Sequence, residues 1–135
     1  MMRYRHRLWL GVFALLAGCV TVGEPPISDK GAVVALVDTA RADGAAGKTD
    51  SAAAALERAL RIEPQNPALW RELALLRLRQ GEPQQAESLA AKSNTWAGSN
   101  KKLRAANWRL IAQARRERGD DAGARAALEK AEQER

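Results

Sequence analysis

One cysteine, one histidine, one tyrosine and one phenylalanine are all that the 135 residues contain of these types. Each lies within the first nineteen positions, as Cys19, His6, Tyr4 and Phe13. Beyond Cys19 a serine nucleophile has no histidine to activate it, a transition-metal site has neither imidazole nor thiolate, and no cysteine nucleophile exists. Long apolar runs are missing too. Leu8 to Ala17 is about ten residues, half of the roughly twenty that a membrane-spanning helix needs. Carboxylates are plentiful, but Glu57-Arg58, Arg71-Glu72 and Glu129-Lys130 pair them with cations in the pattern of solvated helix faces.

What is present at the start is an ordered series. Met1 to Arg7 is basic, Leu8 to Ala17 is apolar, and the small residues Ala17 and Gly18 precede Cys19, which is the layout of a secretory signal peptide. Cleavage after Gly18 leaves 117 residues, enough for one small domain. It also removes Arg3, Arg5 and Arg7 with no acid, which lowers the formal charge from +6 to +3. Whole-chain basicity is therefore partly a property of the leader, and no nucleic-acid motif accompanies it.

Leu16-Ala17-Gly18-Cys19 resembles the lipobox of bacterial lipoproteins. The resemblance implies cleavage before Cys19, acylation of its sulfur and amino group, and, with Val20 rather than Asp in the next position, retention at the outer membrane facing the periplasm. Several acyl chains hold a protein to a bilayer where one does not. Val20 to Lys30, with Pro25-Pro26, then reads as an extended tether reaching at most about 36 Å.

Ala42-Asp43-Gly44-Ala45-Ala46-Gly47-Lys48-Thr49 fits a loose phosphate-binding loop, and Val33 to Val37 stands upstream like a strand. That loop works only beside a parallel sheet, and the rest of the chain carries helical periodicity alone. A nucleotide is not expected; nor is a metal or other cofactor.

An internal repeat accounts for the same stretch. Trp70-Arg71-Glu72-Leu73-Ala74 returns 38 residues later as Trp108-Arg109-Leu110-Ile111-Ala112, and Gly81 and Ala86 return as Gly119 and Ala124. Thirty-four residues upstream, Leu36, Ala40, Gly47 and Ala52 hold the places of Trp70, Ala74, Gly81 and Ala86. The spacing and the W…L-A…A…P pattern resemble the tetratricopeptide repeat, a helix-turn-helix unit of about 34 residues. Arg77 and Arg115 depart from it at the usual tyrosine, Ala90 departs at the large apolar position, and residues 94 to 104 hold a four-residue insertion.

Stop and start residues agree with helices. Asp50-Ser51 suits a helix start, Glu63-Pro64 ends the helix before it, Pro67 suits a first turn, and Gly81 and Gly119 suit helix ends. The expected fold is all-α, with six helices in three antiparallel pairs near 31–43, 50–62, 67–80, 83–94, 102–118 and 121–133. The expected domains are 1–18, a cleaved signal; 19–30, the lipidated cysteine and tether; and 31–135, the repeat domain.

In tetratricopeptide proteins the first helix of each pair lines a concave groove. The resemblance nominates Arg41, Arg71, Leu75, Leu78, Arg79, Arg109, Gln113 and Arg116 as groove residues. Such a groove would bind an acidic or C-terminal protein segment through guanidinium forks; the same residues also read as an ordinary solvated, arginine-rich face. Trp70 and Trp108 read as packing residues. Trp96, placed in the inserted linker beside Lys101, Lys102 and Arg104, reads equally as a plug between repeats or as an interface anchor. Lipobox, tether and short repeat domain together resemble the lipoprotein activators of class A penicillin-binding proteins, the bifunctional peptidoglycan synthases. The resemblance implies a non-enzymatic, lipid-anchored adaptor with a synthase partner. The alternative is a pilotin or assembly lipoprotein for a secretin or another outer-membrane complex.

Overall fold

Glycine at a helix end allows the left-handed turn that other residues resist, and this chain uses it three times in the same way. Gly47, Gly81 and Gly119 have φ of 76°, 74° and 79°. In each turn the amide after the glycine bonds back to the carbonyl five residues earlier: Lys48 to Asp43 at 2.8 Å, Glu82 to Arg77 at 3.0 Å and Asp120 to Arg115 at 2.9 Å. The three turns therefore lie in the register expected from the 34- and 38-residue spacings.

These turns close three helical hairpins in a computed structural model that describes residues 25–135. The helices are α1 (Gly31–Ala45), α2 (Thr49–Ile62), α3 (Pro67–Arg79), α4 (Pro83–Trp96), α5 (Lys101–Glu117) and α6 (Asp121–Gln133). Residues 1–18 and Cys19, read above as a signal peptide and lipobox, lie outside the described residues. Val33 to Val37, the strand-like run before the loop motif, is part of α1, and Lys48 sits in the turn between two helices.

Local chemistry fixes most of the helix starts. Pro67 and Pro83 stand in first turns, where a missing N–H costs nothing. Asn66, Asn100 and Asp120 each accept an amide hydrogen bond at the head of α3, α5 and α6. The helix start read at Asp50-Ser51 takes a different form. Helix α2 begins at Thr49 without a side-chain cap, and the Ser51 hydroxyl instead bonds Asp43 at 2.5 Å, tying α2 to the end of α1.

The core has two parts joined through Leu89. Val33, Val37, Leu56, Leu69, Leu73 and Leu76 fill the first; Leu78, Leu110 and Ile111 lead the second. Burying a leucine, isoleucine or valine contributes about 1.5–3 kcal/mol each. Buried alanines such as Ala40, Ala74, Ala86, Ala112 and Ala124 contribute less individually but let helix backbones approach closely.

The junction between the second and third hairpins is polar at its centre. Asn107, fully buried, donates to Ser93 at 2.8 Å and to Asn94 at 2.9 Å, while Ser93 donates to the Pro67 carbonyl at 2.7 Å. In the repeat register Asn107 stands where Leu69 stands, and Ser93 where Ala59 stands, and all four are at 0 % exposure. One apolar pair has been replaced by one hydrogen-bonded pair.

The segment expected as a free tether up to Lys30 is bound to the domain at its end. Ile27 packs on the first core cluster, and its carbonyl accepts a 2.8 Å bond from Asn66. Ser28 is 9 % exposed and donates to Glu63 at 2.9 Å. An apolar side chain followed at the next residue by a hydroxyl fastens the segment to the turn between α2 and α3.

Candidate partner-binding surface

Seven of the nominated groove residues lie on α3 and α5, with Arg41 on α1. Direct α3–α5 contact, together with the α1–α3 ion pair between Arg41 and Glu72 at 2.5 Å, makes these helices neighbours. Leu78 does not belong to an open face: it is 8 % exposed and packs in the second core cluster. Leu75 is half-buried against the same cluster. Their position in the repeat turns them toward α4 and α5, where apolar area is gained.

The polar members stay accessible. Arg79, Arg109, Gln113 and Arg116 are exposed. Gln113 donates to Glu117 at 3.2 Å along its own helix. Arg79 reaches across to α1, its Nη2 3.6 Å from where a Cβ on Gly44 would stand. Arg71 is half-buried, and its Nε is buried with no hydrogen-bond partner among the described residues.

The arginines that depart from the repeat pattern do different work. Arg115 on α5 bonds Glu87 on α4 at 2.7 Å and the Gly123 carbonyl at 3.1 Å, and Arg118 adds a 2.9 Å bond to the same carboxylate. Arg77 on α3 lies 3.6 Å from Glu57 on α2 and 3.8 Å from Glu82. In both hairpins the guanidinium at the tyrosine position bridges back to the preceding hairpin. The ends of the last hairpin are held by Arg104 and Glu134, paired through two bonds of 2.9 and 2.7 Å. The hydrogen bond to Arg104 holds the Glu134 carboxyl below its ordinary range, and the same bond raises Arg104. Hydrogen bonding from Asn66, then from Ser28, with the charge of Lys30, lowers Glu63 likewise.

Trp70 and Trp108 are half-buried packing residues, as expected. The Trp70 ring nitrogen donates to the Pro64 carbonyl at 2.8 Å, and Lys130 stands 4.4 Å over the Trp108 ring. Trp96 is not in a linker. Helix α4 runs two residues further than its sequence signals suggest and ends on Trp96, which is 38 % exposed. Lys92 lies between two rings, 5.9 Å from the centre of Trp96 and 5.7 Å from that of Trp70.

The junction pair Ser93–Asn107, the Glu87 strut and the Ser28–Glu63–Asn66 fastening were missed by reasoning from the sequence. Repeat alignment carried a signal for the first, since Asn107 breaks an otherwise apolar register. For the other two the partners are 28 to 39 residues apart, with no local pattern to mark them.

Comparison with known proteins agrees with this geometry. The family model described as "Tetratricopeptide repeat" matches residues 45–106. The solved globular C-terminal domain of P. aeruginosa LpoP is similar at 44 % identity and a TM-score of 0.75, over 78 % of this chain and 99 % of that one. No match was found among curated proteins.

Proposed function

This chain belongs to the family of the LpoP globular domain, a tetratricopeptide-repeat fold built for protein–protein interaction, and from that premise we propose that it activates a class A penicillin-binding protein in peptidoglycan synthesis. In this reading Cys19 carries acyl chains, residues before it are removed, and the repeat domain faces the periplasm from the outer membrane. The domain acts without catalysis of its own. It binds the active conformation of the synthase more tightly than the inactive one, and so shifts the population toward activity.

The observation that carries the reading is the contrast among the arginines. Arg77, Arg104, Arg115 and Arg118 are engaged by acids within the domain. Arg71, Arg79, Arg109 and Arg116, on α3 and α5, have no acidic partner among the described residues. Guanidinium forks in that state suit a carboxylate-bearing segment of a protein partner, bidentately held. Arg41 on α1 and Glu72 on α3, paired with each other, stand beside this face.

In-cell crosslinking followed by mass spectrometry tests this. Capture of a peptidoglycan synthase by the wild-type chain, lost in Arg71→Glu/Arg109→Glu, is the expected result. Capture of a secretin or another outer-membrane assembly would replace this reading with the pilotin one.

A further inference from the structure

The place where the chain enters the domain coincides with the most membrane-like surface on it. Ile27 and Ser28 are fastened to Asn66 and Glu63, at the turn between α2 and α3. The Ser93–Pro67 bond brings the end of α4 to the start of α3, and the Arg104–Glu134 pair brings the start of α5 to the end of α6. All these helix ends lie together, opposite the glycine turns at 47, 81 and 119. Two of the three exposed large hydrophobic side chains among the described residues are here, Ile62 at 42 % and Trp96 at 38 %. Lys30, Lys92, Lys101 and Lys102 are exposed around them. Of the acids at this end, Glu63 is committed to Lys30, Ser28 and Asn66, Glu134 to Arg104 and Glu132 to Arg135, with Asp29 exposed beside them.

We propose that this end of the domain rests against anionic phospholipid headgroups of the bilayer that holds Cys19, with Trp96 at headgroup depth. The proposal starts from anchorage through Cys19, as read above. Tryptophan favours the headgroup zone because its ring is apolar and its N–H is polar, and exposed lysines gain from the negative surface potential of anionic lipid.

Chain length keeps the entry end near the bilayer. With Ile27 fastened, only residues 20–26 separate Cys19 from the domain, a span of at most about 29 Å. Helix α4 alone, at 14 residues, is about 21 Å long. The entry end is thus kept within that reach of the lipid, and headgroup contact at this end places the glycine turns a helix length further out. A surface held that close meets headgroups at high effective concentration, so weak individual contacts suffice. The helices then stand upright on the membrane, and the arginine face of α3 and α5 opens sideways, clear of the bilayer.

The test uses the full chain extracted from membranes, with acylation of Cys19 verified by mass, placed in vesicles of phosphatidylethanolamine and phosphatidylglycerol that carry a headgroup nitroxide lipid. The expected result is a loss of tryptophan emission that disappears in Trp96→Phe and shrinks in Lys92→Glu/Lys101→Glu. Both variants change exposed positions, and an unchanged helical circular dichroism spectrum secures their folding. Quenching of equal size in neutral phosphatidylcholine vesicles, or none with acylated protein, would overturn the proposal. So would Trp96 emission that responds only to an added synthase, which would make this end a protein interface. An unacylated Cys19 would instead overturn the anchorage from which the proposal starts.

Discussion

Arg115 of α5 and Glu87 of α4 meet at 2.7 Å across the boundary between the second and third hairpins, with Glu87 19 % and Arg115 29 % exposed at the side chain. The guanidinium occupies the place where the tetratricopeptide pattern has tyrosine, and there it adds a charged hydrogen bond to Glu87. Charge-assisted hydrogen bonds of this kind contribute about 1.5–3 kcal/mol when partly shielded. Arg115→Ala should lower thermal stability by several degrees, since about 1 kcal/mol moves the midpoint of a domain this size by roughly 4–8 °C. Arg118→Ala, whose bond to Glu87 is more exposed, should cost less. Calorimetry of the two variants checks the order; an equal or reversed cost would remove the strut role.

At the same boundary, Asn107→Ala leaves the Asn94 oxygen and the Ser93 hydroxyl without their buried donor, and should destabilise by about 1–3 kcal/mol. Asn107→Leu combined with Ser93→Ala restores the pair present as Leu69 and Ala59 in the preceding repeat, and should recover most of that loss. A double-mutant cycle in urea measures the coupling. Additive single effects would show that the two residues act independently.

The turn glycines make a separate prediction. At φ of 74°, Gly81 lies where an L side chain is strained although no atom crowds the position, so Gly81→Ala should cost about 1 kcal/mol through the backbone alone. In α6 the cause is different. A Cβ on Gly123 would stand 2.1 Å from the Asp120 carboxylate that caps the helix, so Gly123→Ala must displace the cap. Gly123→Ala should therefore destabilise the wild-type chain but cost little in an Asp120→Ala background, so that the two changes do not add.

Acid weakens the fastening of the entry segment. The folded-state Glu63 carboxyl sits below its ordinary range, so its contribution is complete above that range and is lost as the pH falls through the lowered value. Glu63→Gln should flatten that part of the stability profile and raise hydrogen exchange at the Ser28 and Lys30 amides already at neutral pH. Exchange unchanged by the substitution would mean that Ile27 packing alone holds the segment.

Repetition explains how much of this was legible. Trp70/Trp108, Gly47/Gly81/Gly119 and Ala52/Ala86/Ala124 recur because each hairpin must turn and pack in the same way, and helix limits read from Pro67, Pro83 and the glycines fall within two residues of those observed. Interactions between hairpins were not legible. Leu78 shares its repeat position with exposed Arg116, yet it is buried because α4 and α5 close over it. Trp96 was read as linker because the insertion hides where α4 stops; the helix continues through Thr95, whose hydroxyl bonds the Ala91 carbonyl at 3.2 Å.

Glycan-strand polymerisation by a purified class A penicillin-binding protein, with and without this chain, tests the central claim most directly. The account predicts a higher rate that saturates with the chain's concentration, and little or no increase with folded Arg71→Glu/Arg109→Glu. A synthase indifferent to the wild-type chain, or one activated equally by the double variant, would contradict it.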